Sequence, residues 1–208
     1  MYQNRTDAGQ QLAGLLVREG VDADVVLGIP RGAMPVAAPV AERLQAPLDI
    51  VVVQKIGAPD NPELAVGAAA ADGSVYRNDD LIDRLGISEE YVEQERRNEA
   101  ENAHEKAQTY REEPVELRGK RVIVVDDGVA TGATAIACLR QVRDAEASWV
   151  ALAVPVGSPD SIAELRAEAD AVYALETPRG FRAVGQYYRD FGQVTDEEAM
   201  QYLQGESP

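Results

Sequence analysis

The chain is short of the residues that metal and nucleophile chemistry most often use. Among its 208 residues are one cysteine (Cys138), one histidine (His104), one tryptophan and two phenylalanines. One cysteine forbids an intramolecular disulfide and is too few thiols for a structural zinc site. A Ser-His-Asp arrangement would have to run through His104 alone. Lysine is scarce as well: only Lys55, Lys106 and Lys120 stand among 20 basic residues, the rest being arginine. Against these are 36 acidic residues, for a net charge of -16. That balance argues against a general nucleic-acid binder, whose affinity comes from cations neutralising phosphates. No apolar run approaches the roughly 18 residues of a membrane span, and residues 1–6 are polar, without a signal peptide's apolar core. A soluble, cytoplasmic protein is expected.

What is present is an ordinary globular balance, 45% hydrophobic and 27% charged, in a length suited to one domain, 1–208. Abundant acid with little lysine suits a protein made for high salt, where at about 1 M the Debye length is roughly 3 Å and like charges are screened. An acidic protein of ordinary salt is the other reading. Apolar runs alternate with helical patterns, the signature of an α/β fold with a mostly parallel sheet. A first helix is expected over 7–19, with Leu12, Leu15 and Leu16 inward and Gly20 as its stop. Strands are expected at 24–28, 48–54, 121–125, 149–154 and 171–175, with a short strand or pair within 65–76. Ser158 before Pro159 caps one later helix, and Thr195 with Glu198 forms a capping box for the last. Pro39 weakens the helix expected after Gly32. Residues 56–62 read as a loop by composition, and 78–113 as a helical insertion: a short helix, a break at Gly86, then a long polar helix capped by Ser88. Its thin apolar seam runs through Ala100, Ala103, Ala107 and Tyr110, which suits a decoration rather than a second core.

The richest segment runs from Val122 to Thr134. A continuously apolar strand ends in two carboxylates, Asp126 and Asp127, turns through Gly128, Val129 and Ala130, and enters a helix across Thr131, Gly132, Ala133 and Thr134. A helix start offers unpaired N–H groups and a positive dipole, which suit a phosphate, and small residues let the backbone come close. The threonine hydroxyls add donors. Ligands of open parallel sheets bind at the carboxyl ends of strands, where the two acids fall. A phosphate beside two carboxylates makes sense for ribose 5-phosphate, whose hydroxyls the acids can accept. Other phosphate and nucleophile loops fit badly: there is no P-loop lysine, no G-x-G-x-x-G spacing and no G-x-S-x-G elbow.

The segment resembles the 5-phosphoribosyl-1-pyrophosphate (PRPP) motif of type I phosphoribosyltransferases: four apolar residues, two acids and a Thr-Gly-x-Thr loop. The resemblance spans nearly the whole chain, most closely 24–76 and 118–200. It implies a parallel sheet flanked by helices, with a helical insertion at 78–113 and a small hood with a C-terminal helix over 176–208. It also implies transfer of the phosphoribosyl group from PRPP, with Mg2+, to a nitrogen acceptor such as a nucleobase, releasing pyrophosphate. Leu27–Gly32 resembles the family's pyrophosphate loop, which implies a cis peptide between Pro30 and Arg31 and pyrophosphate held by Arg31 and by the amides from Gly32 on. Lys55, at the expected end of the second strand, matches a basic residue that reaches toward pyrophosphate. The 57–62 stretch with Glu63 resembles a segment that closes over PRPP.

Residues 180–191 are similar to the hood of hypoxanthine-guanine phosphoribosyltransferases. On that likeness Phe181 stacks on the acceptor and Arg189 meets pyrophosphate; the other reading makes these aromatics the core of a small cap. The lysine that reads a purine's exocyclic oxygen is missing, with Glu176-Thr177-Pro178 in its place. Asp126 and Asp127 would hold the ribose and, through PRPP and water, Mg2+. Homodimers are common in the family. The alternative on the same fold is a non-catalytic regulator that senses PRPP or a nucleotide, and a third reading is a sugar-phosphate isomerase or hydrolase. His104 reads as a solvated surface residue and Cys138 as buried packing. Arg96, Arg97 and Arg111 read as partners of neighbouring glutamates rather than phosphate ligands.

Overall fold

The computed structural model describes residues 1–71, 73–110 and 115–206. Arg111 lies outside the described residues, as does the side chain of Glu63. Five strands form an all-parallel sheet: β1 (Val25–Gly28), β2 (Leu48–Ile50), β6 (Arg121–Val125), β7 (Trp149–Val156) and β8 (Ala171–Glu176). Their order across it is β2-β1-β6-β7-β8. The central strands are continuously apolar because both faces are covered. On one face α1 (Arg5–Arg18) and α2 (Met34–Leu44) bury Leu12, Leu16, Val36 and Val40 against Val26, Ile123 and Ala151. On the other, α5 (Ala133–Asp144) and α6 (Pro159–Glu168) bury Ile136, Leu139 and Leu165 against Leu27, Val124 and Leu152. Such burial is worth about 1.5–3 kcal/mol per large aliphatic side chain.

The expected helices form, α1 ending before Gly20, which takes a positive φ of 67°. α2 runs straight through Pro39. Its buried face, Val36, Ala37, Val40 and Ala41, offsets the one hydrogen bond that proline removes.

Two expectations are corrected. The single strand over 48–54 is two: β2 stops at Ile50, and β3 (Val53–Ala58) joins β4 (Asn61–Ala70) and β5 (Val75–Arg77) in a separate antiparallel sheet, in that order. Val51 and Val52 stay buried between them, in different apolar clusters, so the run is continuous in hydropathy though not in pairing. The loop expected at 56–62 is a β-hairpin whose turn is only Pro59-Asp60, since Ala58 pairs with Asn61. Gly57 and Pro62 lie in its irregular stretch, where register shifts on both sides of Gly57. A Cβ on Gly57 would come within 2.7 Å of the Pro62 carbonyl oxygen, so glycine serves close backbone approach there, not a turn.

The insertion is therefore larger than 78–113. α3 (Asp79–Leu85) and α4 (Glu89–Tyr110) join the small sheet around a cluster of their own: Ile56, Ala58, Val66, Ala69, Ile82 and Val92. The expected seam of α4 divides between this cluster, which Ala100 meets, and another beside α2, which takes Ala103, Ala107 and Tyr110. The chain ends in a 3-10 turn, Val184–Tyr187, and α7 (Asp196–Leu203).

Candidate functional site

β1 and β6 are neighbours, and the chain leaves them in opposite senses, to β2 on one side and β7 on the other. A crevice opens beyond the carboxyl ends of such a strand pair. There the Ile29 amide donates to the Val125 carbonyl at 3.0 Å, binding the two exits together. The Pro30–Arg31 peptide that follows is cis. Gly32 faces the second exit so closely that a Cβ would lie 2.6 Å from Asp127 Oδ2. Arg31 is exposed and its Nη1 is 3.4 Å from Asp196 Oδ2, at the start of α7. The other oxygen of Asp196 accepts the Tyr110 hydroxyl from the end of α4.

At the second exit Asp126 and Asp127 are both half-buried. The Asp127 amide donates to Asp126 Oδ1 at 2.8 Å. Burial, then the charge of Asp127, push the Asp126 carboxyl well above the ordinary range. Burial also raises Asp127, but Arg5 opposes it: Nε donates to Asp127 Oδ2 at 2.7 Å. From the hood, the Tyr188 hydroxyl donates to the Asp127 carbonyl. Its phenol is raised by burial first and by Asp127 next, so it remains a donor at neutral pH. Cys138 is fully buried, and burial followed by the charge of Asp126 raises its thiol; it is packing, as expected.

The turn after the acids is fastened from three sides. A Cβ on Gly128 would lie 2.6 Å from Val184 Cγ1, so the hood rests directly on that glycine. Val129 is buried, its amide donating to Val156 and its carbonyl accepting from Ser158, both at 2.9 Å. The Ala130 carbonyl accepts the Ser161 hydroxyl at 2.6 Å. Thr131 and Thr134 remain exposed on either side of Gly132 and Ala133. Gly132 caps α5 at a left-handed φ of 82°, and no side chain caps that helix. α2, after the other exit, has no side-chain cap either. Asn4, Asn78, Ser88, Ser158 and Thr195 cap α1, α3, α4, α6 and α7. The two α-helix starts without a side-chain cap among those described thus flank the crevice, and one of them follows the paired carboxylates.

The structure gathers Gly32, Asp126, Asp127, Gly128, Val129, Ala130, Thr131, Gly132, Ala133 and Thr134 at this edge. Arg31 is there by backbone, with its side chain paired to α7. Lys55 does not end a strand of the main sheet: it lies in mid-β3, opposite Ala68 and exposed. Phe181 is half-buried and stacks on Tyr187, centroids 5.8 Å apart. Arg189 is exposed, and its amide donates to the Tyr2 carbonyl at 2.9 Å. His104 is exposed beside Gln108, and Arg96 and Arg97 pair with Glu93, as expected. Sequence reasoning missed Arg5 and Tyr188. Neither carries a local signal, since Arg5 is 122 residues from its partner. Tyr188 stood inside the aromatic-rich 180–191 stretch, but without a role of its own.

A family model described as the phosphoribosyl transferase domain matches residues 66–190. Over 205 residues, 98% of the chain, there is 42% identity to a Mycobacterium tuberculosis (strain H37Rv) protein named "Putative phosphoribosyl transferase Rv0571c". The chain spans 46% of that relative, about half its length. The crystal structure of TT1426 from Thermus thermophilus is 40% identical, with full coverage of both chains and a TM-score of 0.85. A hypothetical protein from Neisseria gonorrhoeae, solved with bound ppGpp, aligns over 99% of this chain and 98% of its own, with a TM-score of 0.51. At 17% identity that is a likeness of fold alone.

Proposed function

The chain belongs to the type I phosphoribosyltransferase family, and from that premise we propose that it binds PRPP with Mg2+ and transfers the phosphoribosyl group to a nitrogen acceptor, releasing pyrophosphate. One observation carries the reading: a pair of carboxylates runs directly into a helix start left open by a left-handed glycine. The open start suits the 5-phosphate, and the acids suit the ribose hydroxyls. Remote binding of the phosphate would fix the reacting carbon. As the C1′–O bond to pyrophosphate breaks, positive charge builds on the ribose and negative charge on the leaving group, and the acceptor nitrogen bonds to C1′. Asp126 and Asp127 would favour the positive charge beside them. Arg31, Lys55 and Arg189 are the cations assigned to pyrophosphate; Arg31 would exchange its exposed pairing with Asp196 for that contact. Phe181 would lie against the acceptor.

Among the described residues no cluster of three or more Asp, Glu, His or Cys could hold a metal alone. Two adjacent carboxylates nevertheless fit Mg2+, which keeps several waters and takes one or two carboxylates with substrate phosphates. Asp126 and Asp127 would hold it through water, and it would supply positive charge to the pyrophosphate oxygens. No described helix is long and apolar enough to cross a membrane, and a cytoplasmic location is part of the proposal. A homodimer is the assembly to look for.

The test is PRPP-dependent pyrophosphate release against purines, pyrimidines and small amines, run from low to molar KCl. Acceptor-stimulated release that rises with salt is expected, because screening weakens the repulsion between PRPP and a net charge of -16. PRPP binding without turnover would favour the sensing regulator instead. No calorimetric heat for PRPP or any ribonucleotide would overturn the reading.

A further inference from the structure

Arg5 enters the site from α1, at the other end of the chain from the PRPP segment, and it is held there more firmly than a surface pair would be. Its side chain is 11% exposed and that of Asp127 15%. Nε donates to Asp127 Oδ2 at 2.7 Å, and Nη1 donates to the Gly192 carbonyl at 2.7 Å. The guanidinium carbon lies 3.8 Å from the centre of the Phe191 ring. Two hydrogen bonds and a ring face fix the plane of the guanidinium, so its direction toward Asp127 is set by the hood. The chain that delivers it is pinned as well. The Tyr2 amide donates to Tyr187 at 2.8 Å, and the amides of Arg189 and Asp190 donate to Tyr2 and Gln3, both at 2.9 Å. Tyr2 packs against Tyr188, whose hydroxyl holds the Asp127 backbone. Across the crevice, Arg5 Nη2 lies 3.5 Å from where a Gly32 Cβ would stand. Asp127 is thereby clasped between α1, the hood and the exit of β1.

We propose that Arg5 is a positioning residue: it holds the Asp127 carboxylate at the strand end, so that the ribose of PRPP meets an acceptor already in place. This rests on the reading of the site given above. A preorganised charged acceptor binds without the ordering that a free side chain would require. Arg5 therefore acts on affinity through Asp127, while the phosphate grip of the α5 start is independent of it.

The test uses calorimetry on the whole chain, with Mg2+ and molar KCl, for two probes: PRPP and inorganic phosphate. Arg5→Gln is expected to weaken PRPP about tenfold to a hundredfold, the range of a hydrogen bond to a charged group, and to leave phosphate within about twofold. Arg5→Lys, which keeps the charge but not the planar fork, should restore part of the loss. An equal loss for both probes would mean general damage and would overturn the inference, as would unchanged PRPP binding. Should melting show Arg5→Gln unfolded, Arg5→Lys is decisive: PRPP weakened several-fold with phosphate unchanged supports the role, and no change in PRPP overturns it. Failure of the unaltered protein to bind PRPP would instead sink the site reading, and the role of Arg5 with it.

Discussion

α5 and α6 both follow parallel strands, both pack on the same face of the sheet, and both begin at its carboxyl edge, yet their starts are built oppositely. Before α6, Ser158 accepts from the Ser161 amide and Pro159 stands in the first turn, so the start is closed by its own side chains. Before α5 there is Gly132 at positive φ, alanine next, and no side-chain cap. A cap is worth about 1 kcal/mol, and a site that forgoes it keeps its amides for something else. The closed helix also serves the open one. Ser161 holds the Ala130 carbonyl of the turn, and the Ser158 amide holds Val129. Stability is placed one strand away from where the ligand is proposed to sit.

That contrast can be broken in graded ways. Asp127→Asn, which removes the charged acceptor before α5, should reduce kcat/KM for pyrophosphate release by about a hundredfold; a loss under about threefold would divorce the acids from the chemistry. Gly132→Ala should weaken PRPP about tenfold and cost about 1–2 kcal/mol, because alanine resists a φ of 82°. Its counterpart, Ser158→Ala, should cost about 1 kcal/mol with PRPP affinity changed far less. If calorimetry ranks the two the other way, the closed helix is the binding one.

Asp126→Asn sharpens the electrostatic side. Burial and Asp127 raise the Asp126 carboxyl, so its ionised form opposes folding above its folded pKa, and that penalty fades as pH falls until both states are protonated below about pH 3. Melting curves should show the variant more stable at about pH 8 and converging on the parent below about pH 3. The smallest effect is expected at Thr195→Ala. The capping box of α7 includes none of the residues assigned to PRPP, and its loss should lower Tm by about 2–4 °C.

Much of this was legible along the chain, for reasons that differ by element. The apolar run Val122–Val125 can only be a strand covered on both sides, and it is fully buried. Ser158 and Thr195 mark helix starts because capping is a contact three residues long. The loop from Asp126 to Thr134 declared itself because its chemistry is contiguous. The run from Leu48 to Gln54 misled because hydropathy records burial but not the identity of the partner strand. The stretch from Ile56 to Pro62 misled because Gly57 answers a facing backbone rather than a turn. Lys55 changed place with them: once β3 leaves the parallel sheet, its lysine stands in mid-strand on the small sheet rather than at the end of a parallel strand.

The order of residues by itself determined the alternation of strand and helix, the two acids before a glycine-rich helix start, and the acidic surface. Each is settled within a few neighbours by sterics, capping or composition. Tertiary structure alone decided that the chain between β2 and α4 builds a second sheet with its own small core, and that the starts of α2 and α5, from opposite faces of the parallel sheet, border one crevice. It also decided that an arginine near the beginning answers an aspartate 122 residues on. Contacts of that span depend on which surfaces meet when the elements pack, and no local pattern encodes them.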